Sequence, residues 1–544
     1  MTNLLINRYF ILIVLSVVFL SSLIGLGSWG LTETSESRYA QIGKEMAISG
    51  DYLNPTLLGV YHYHKPPLTY QITALGYKLF GFNEFGARFF MQLALIIQLI
   101  LVFKIARLLL YDREKAMLAS LIYFSIPLVL ISVRNLTTDA YLNTTVLFSI
   151  FFWLRLKHSK NIVWLYLFYA SLGIIMNIKG PVGLLFPIIF LVSHAIIFKI
   201  KIKFSFHSVL GLLIFLGLSA AWVLILIKDH PNMLEYFLDE QILRRIKSKS
   251  YNRSKPFWFY LVLLPLSILP WLWPLIKSAF NKSRPKADKT RSLLVINLLL
   301  IVLIFSLFST KLILYILPVS LFVSLLAAES IDEMTAAESR LNSIILSSLS
   351  IILLIILMIL PIIDSKYSLN YWLVWALLIG TAISIYLIQN KSTDKTLRFG
   401  GLSIIFGLVM LFGSTLFFQK NDLYINSIKR VTSFIESRDD LRHRPVIVHN
   451  YLLPSTSFYL NKPITTLNFG HNTVQRDTRF QGDDNWEKYM VDIQNENELK
   501  TLDSLLNEPV VLLVRRRGDN IESLRLFENR GLQMVDFDKW LVFY

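Results

Sequence analysis

Apolar stretches of membrane-crossing length recur from Phe10 to Phe418, near residues 10–30, 86–108, 116–133, 139–155, 162–178, 181–198, 207–227, 257–277, 293–309, 311–328, 342–363, 371–389 and 399–418. A helix needs roughly 17 to 25 apolar residues to cross a hydrocarbon core. Thirteen spans are therefore predicted, with the tight pairs at 162–198 and 293–328 open to a different count. Between the first two spans lies a loop, 32–85, too long and too polar for a simple turn. Within it Tyr39, Ile42 and Met46 recur at helical spacing with charges opposite, which predicts an amphipathic helix over 36–49 lying on a membrane surface. A second helix is predicted over 68–80, entered through Pro66-Pro67, because proline suits a first helical turn.

After the last span the pattern changes. Short β-branched runs at 445–449 and 509–514 alternate with helical stretches at 422–438, 495–507 and 519–530, which predicts a small α/β domain. The predicted domains are a polytopic α-helical membrane domain, 1–418, carrying the loop 32–85, and a C-terminal α/β domain, 419–544.

Composition agrees with the pattern. A chain of 544 residues that is 54% hydrophobic, with mean hydropathy +0.53, is too apolar for a soluble protein. The net charge of +17 raises nucleic acid as a partner, and its distribution removes it. From Lys420 onward 17 basic residues face 18 acidic ones, so the membrane half carries the excess, 37 against 19. There the cations cluster in alternate loops: Arg8; Lys104, Arg107, Arg113 and Lys115; Arg155, Lys157 and Lys160; Lys199 to Lys203; Lys277 to Arg291; and Lys391 to Arg398. This is the positive-inside pattern. It places the N-terminus in the cytoplasm and, with an odd number of spans, the C-terminal domain outside. The acidic loop 329–341 goes against the trend, but acidic residues weigh little in that rule. Absence of cysteine excludes disulfides, thiol nucleophiles and Cys-ligated metals. The first apolar stretch is too long for a signal peptide and lacks a small-residue cleavage site, so it reads as a signal anchor.

Charges held at membrane depth are costly and mark sites. They gather at span ends on one side: Glu33, Glu36, Arg38, His62, His64, Lys65, Arg134, Asp139, Lys179, Asp239, Glu240, Arg244 and Lys311. Glu36 and Arg38, two residues apart, can orient a hydroxyl and a phosphate together, and Lys65 before two prolines is a rigidly placed cation suited to phosphate. The same residues also fit interfacial snorkelling and loop capping. His62 and His64 are a candidate metal pair without a third ligand fixed by the sequence. Asp139 also fits a helix N-cap, and Lys179-Gly180-Pro181 a helix break. Arg515-Arg516-Arg517 after a strand reads as a solvated edge, and the aromatic clusters at 257–273 and 371–375 as interfacial belts.

The string Glu36-x-Arg38-Tyr39-Ala-x-Ile-x-x-Glu-Met46 is followed by Ser49-Gly-Asp-Tyr52, Lys65-Pro-Pro-Leu68 and Phe80-Gly-x-Asn-Glu-Phe-x-Ala-Arg88. It resembles the bacterial 4-amino-4-deoxy-arabinose (lipid A) transferases, relatives of the protein O-mannosyltransferases with the GT-C fold. Ordered matches continue at Asn135-Leu-Thr-Thr-Asp139, Lys179-Gly180-Pro181, Phe257 to Tyr260 before Leu269-Pro270-Trp271, and Phe308-Ser-Thr-Lys311 before Tyr315 to Pro318. The resemblance covers about residues 30–330. It implies a thirteen-span inner-membrane enzyme with a periplasmic C-terminal domain. It also implies inverting transfer from an undecaprenyl-phosphate-linked sugar, without a nucleotide, to an acceptor that is lipid A, another glycan or a protein. Carried over by position, Glu36 and Arg38 belong to the first-loop motif, Lys65 binds the lipid phosphate and Asp139 is the second acid. Lys311 and Tyr315 lie on the lipid-phosphate side. One departure stands out: Ser35 replaces the family's aspartate, which leaves Glu36 or, one turn earlier, Glu33 as the base. A divalent cation has precedent in this fold.

Elementary chemistry fits this expectation. A carboxylate can take the proton of a hydroxyl acceptor, and Lys65, Arg38 and Arg244 can offset charge developing on the leaving phosphate. An acceptor that is itself a phosphate needs little base. The competing class, a flippase for lipid-linked sugars, places charges near the midplane and often shows inverted repeats. The sequence has neither.

Overall fold

A computed structural model describes residues 8–236, 255–280, 288–468, 480–482, 485–492, 504–516 and 531–544. The chain divides into two compact units. One comprises Met1–Leu26 and Phe89–Phe417, the other Gly27–Arg88 and Phe418–Tyr544. The loop grouped above with the spans thus packs with the tail.

The first unit is helical. Among the described residues seven helices are long and apolar enough to cross a membrane: Glu84–Leu110, Pro181–Phe198, Phe206–Asp229, Lys289–Leu307, Ala336–Ile363, Tyr371–Lys391 and Lys395–Lys420. An eighth arises if Arg113–Phe124 and Pro127–Arg134, bent by 57°, count as one span. The bend sits at Pro127, which lacks an N–H and pushes Ile126 into an extended conformation. Prolines interrupt other predicted spans in the same way. The stretch 257–277 divides into Phe259–Ser267 and Leu272–Phe280 around Pro270, and 311–328 into a 3-10 turn, Ile313–Ile316, and the helix Val319–Asp332 after Pro318.

The helix Thr138–Ser159 buries polar residues instead of facing lipid. Gln98 donates to Ala140 O and Thr144 Oγ1 at 3.0 and 2.9 Å, and Asn143 donates to the Tyr123 hydroxyl at 2.6 Å. Hydrocarbon offers such groups no partner, so they pair across helices. Arg134 does likewise, donating to Ser22 O at 3.0 Å and to the Thr415 hydroxyl. It ties the helix Arg8–Leu23 to Lys395–Lys420.

The second unit holds a two-stranded hairpin, β1 (Thr56–Leu57) and β2 (Val60–Tyr61), and a six-stranded sheet. The sheet comprises β3 (Val446–His449), β4 (Thr465–Asn468), β5 (Met490–Asp492), β6 (Val511–Arg515), β7 (Met534–Asp536) and β8 (Trp540–Phe543), in the order β5-β4-β3-β6-β8-β7. The first four in that order run parallel, and β8 and β7 add an antiparallel edge. Near-continuous apolar strands suit burial on both faces. Val446, Val448, Val511 and Leu513 enter one core, and Ile447, Leu512 and Val514 the other.

The helix Ser35–Ser49 covers the first of these faces. Its apolar stripe was expected to rest on a membrane surface; instead Ile42 and Met46 are fully buried in the core beneath β3 and β6. Periodicity marks an apolar face but does not say what covers it. Gly50 ends the helix with φ 74°, a left-handed conformation suited to glycine, its N–H donating to Met46 O at 3.1 Å. Asp51 then accepts from the N–H groups of Leu53 and Asn54 at 2.9 and 3.0 Å, forming a turn. Glu45 accepts from Gln41, the Thr56 hydroxyl and Leu58 N–H at 2.7, 2.6 and 2.8 Å, anchoring the hairpin. Two acids in the recognisable motifs are therefore structural.

Candidate active-site residues

The candidate residues fall into two clusters, one in each unit. In the second unit the centre is an ion pair. Glu36 and Arg88 have fully buried side chains, with Nε to Oε1 at 2.7 Å and Nη2 to Oε2 at 2.9 Å. Glu36 also accepts from Thr32 N–H and hydroxyl at 2.9 and 3.0 Å. Arg88 donates to Trp29 O and Gly30 O, both at 3.0 Å, and lies 4.4 Å from the Trp29 ring centroid. One turn before Arg88, Glu84 pairs with Lys429 at 2.6 Å and accepts from the Tyr459 hydroxyl at 3.0 Å. That hydroxyl in turn accepts from Leu31 N–H at 2.7 Å. The backbone from Trp29 to Thr32 is thereby held at several points.

This frame presents Glu33. Its carboxylate accepts from the hydroxyls of Ser37 and Ser455, and its main chain exchanges hydrogen bonds with Asn426, N–H to Asn426 O and Asn426 Nδ2 to Glu33 O, both 2.8 Å. Desolvation pushes the carboxyl up to about 7, against the two serines and the nearby Arg38 charge, which pull it down. Glu36 is committed to a guanidinium; Glu33 is balanced between its two protonation states near neutral pH.

Lys65 is half-buried in the turn before the helix Leu68–Phe80. The rings of His62 and His64 lie 4.1 Å apart. Among the described residues no group of three or more His, Asp or Glu side chains is close enough to hold a metal ion.

In the first unit Asp139 opens the helix Thr138–Ser159, and Lys179 is the last residue of Val163–Lys179, stopped by Gly180 at φ 78°. Their side chains form an almost completely buried ion pair. The same ammonium stands 4.3 Å from the Tyr315 ring centroid. A buried cation with one carboxylate and one aromatic face is preorganised for a second anion. Lys311 is used differently: its ammonium donates to the carbonyls of Lys255, at 2.9 Å, and Phe308. It caps the end of the helix Lys289–Leu307. Arg244, with Asp239 and Glu240, lies outside the described residues.

Sequence reasoning passed over Arg88 as a site residue, although an arginine in an apolar helix, four residues after Glu84 and so on the same helix face, is a readable signal. Ser455, a tail residue 422 positions from Glu33, carried none.

Residues 64–222 match the family model described as dolichyl-phosphate-mannose-protein mannosyltransferase. The chain is 28% identical over 379 residues to an undecaprenyl phosphate-alpha-4-amino-4-deoxy-L-arabinose arabinosyl transferase of Pseudomonas fluorescens, covering 66% of this chain and 64% of that relative. It is 31% identical over 324 residues to one from Sodalis glossinidius, covering 58% and 57%. The match thus spans less than two thirds of either relative. The fold is that of ArnT from Cupriavidus metallidurans, solved bound to undecaprenyl phosphate, with a TM-score of 0.79, 19% identity and coverage of 99% and 98%. Over part of its length the chain is thus similar to arabinosyl transferases of this kind, and it shares the fold of ArnT.

Proposed function

We propose that the chain is an inner-membrane, inverting glycosyltransferase. It moves a sugar from an undecaprenyl-phosphate donor, without a nucleotide, to a periplasmic-side acceptor such as lipid A. In this reading the chain spans the membrane thirteen times, with the N-terminus in the cytoplasm and the C-terminal α/β domain in the periplasm. Glu33 is the base, in place of the aspartate that Ser35 replaces. Glu36 holds the loop through Arg88 rather than taking a proton. Lys65, Arg38 and Arg244 hold the donor phosphate, a role also assigned to Tyr315 and to Lys179, set by Asp139; Lys311 acts as a helix cap.

The observation that carries the reading is the state of Glu33. Its carboxyl is raised to about 7 and held by two hydroxyls, so both protonation states are populated near neutral pH. That is the condition for efficient proton transfer. The named arabinosyl transferases supply the substrate class.

The test compares masses of lipid A, other surface glycans and periplasmic proteins between a deletion strain and strains restored with wild type or Lys65→Ala. A sugar-sized loss on lipid A, restored by wild type alone, supports the reading. Loss on a periplasmic protein would redirect the acceptor. Unchanged glycans with donor accumulating on the cytoplasmic leaflet would replace transfer by transport.

A further inference from the structure

In the first unit three helices leave a gap between them, at the end of the bundle where Lys104, Arg107, Arg113 and Lys115 gather. The helices Arg8–Leu23, Glu84–Leu110 and Arg113–Phe124 enclose a cavity of about 240 Å³. Its floor is buried and apolar, at Val14, Leu99 and Leu121, and its mouth is formed by the half-buried Leu15, Ile100 and Phe103. The Ser120 hydroxyl in the wall already donates to Leu99 O at 2.9 Å, so the wall offers water no open partner there. Apolar cavities of about 150 Å³ stay dry and take up hydrocarbon. In a membrane-spanning bundle the hydrocarbon at hand is the acyl chain of a lipid.

The helix Glu84–Leu110 changes character along the face that lines the cavity. Ile100, Phe103, Lys104 and Arg107 follow at helical spacing and share that face, the two apolar residues deeper and the two cations nearer the helix end. Lys104 belongs to the cavity wall and lies six residues before Leu110, roughly 9 Å from the end at 1.5 Å per residue. At that depth a lysine keeps its stem in apolar surroundings and its ammonium at the polar boundary. Lys104 and Arg107 are exposed, and the Lys104 ammonium stands 5.5 Å from the Phe151 ring centroid. Among the described residues neither cation pairs with a carboxylate. The helix Arg8–Leu23 is fixed at its far end, where Ser22 O accepts from Arg134. Its other half borders the cavity through Ile11, Val14 and Leu15.

A dry apolar slot with cations at its lip has the order of a phospholipid, chain first and phosphate above. Basic residues at the mouth of a pocket between transmembrane helices select anionic head groups. We infer that the cavity is a binding site for one acyl chain of an anionic glycerophospholipid, with the phosphate held at Lys104 and Arg107. The lipid completes the packing of Arg8–Leu23 against its two neighbouring helices. This site goes beyond the transferase reading and uses neither Glu33 nor the donor phosphate residues.

The test is native mass spectrometry of the full-length protein in detergent, with thermal unfolding in parallel. The probes are dioleoyl phosphatidylglycerol, dioleoyl phosphatidylcholine and undecaprenyl phosphate. Phosphatidylglycerol should bind as one copy, more tightly than phosphatidylcholine. At about 10 to 100 times its Kd it should raise the unfolding midpoint by roughly 3–10 °C. Lys104→Gln should weaken it about fivefold and Lys104→Gln with Arg107→Gln about 25-fold, while phosphatidylcholine changes by less than about twofold. Leu15→Trp, which fills the cavity from its mouth, should remove both the bound lipid and the thermal shift. Leu15→Phe serves if the tryptophan variant does not fold.

Equal binding of the two phospholipids would overturn the assignment. So would loss in the charge variants that the Leu15 variants do not share, since the lipid would then lie on the surface and not in the cavity. Displacement of phosphatidylglycerol by an equal amount of undecaprenyl phosphate would give the site to the polyprenyl carrier and overturn the assignment as well.

Discussion

Replacing Arg88 with Met should unfold the second unit at a much lower temperature while telling structural from catalytic use of Glu36. The guanidinium donates to Glu36 at 2.7 and 2.9 Å and to the Trp29 and Gly30 carbonyls at 3.0 Å. Its removal leaves a fully buried carboxylate without its guanidinium, still accepting from Thr32. Breaking one side of a buried pair costs about 3–5 kcal/mol, because a charge remains without compensation. In a unit of this size 1 kcal/mol moves the midpoint by about 2–4 °C, so a fall of roughly 6–20 °C is expected. Glu36→Gln should cost a comparable amount by stranding the arginine. The double variant Arg88→Met with Glu36→Met removes both charges and should regain most of the loss. The assay is thermal unfolding of the full-length protein in detergent, with transfer rates measured well below each midpoint. A Glu36→Gln protein as stable as wild type but inactive at every temperature would refute the argument and return Glu36 to the role of base.

Glu33→Gln should abolish the rise of transfer rate with pH through about 7, since the unprotonated carboxyl is the working form; a rise that persists in the variant would exclude Glu33. The same raised carboxyl has a stability consequence with a definite sign. Between about 4.5 and about 7 the folded chain keeps a proton that the unfolded chain has released, so stability should fall as pH rises across that window, and Glu33→Gln should flatten the fall. Asp139→Asn and Lys179→Met should each lower stability and activity, and the pair together should cost less than the sum, because each single change strands a buried charge; strict additivity in a double-mutant cycle would deny the pairing. Lys311→Met should lower the melting temperature with donor KM nearly unchanged, because its ammonium is occupied by two carbonyls; a large rise in donor KM would restore it to the phosphate.

Much of the architecture is written in local composition. Long apolar runs and alternate basic loops need no tertiary information, because the bilayer acts as solvent on each segment separately. The strands at 446–449 and 511–515 are equally legible, since a buried parallel strand is a nearly continuous apolar run. Breaks inside spans were less so: Pro127, Pro270 and Pro318 lie within runs whose average hydropathy hardly registers them.

The ordered motifs brought Glu33, Glu36, Lys65 and Asp139 into view, but motif membership does not distinguish a residue that works from one that holds. Glu45 and Asp51 hold the hairpin and its turn, and Glu36 is paired with Arg88, none of which the motifs reveal. The partner of Glu36 is 52 positions away and that of Glu33 422 positions away. Such pairings are set by which helix and strand ends fold together, and no periodicity encodes them. The sequence by itself therefore determined which runs are long and apolar and the stock of chemical groups. Which carboxylate is neutralised by an arginine and which is left near neutrality were decided only by tertiary structure. Burial and charge act through distances in space, not along the chain.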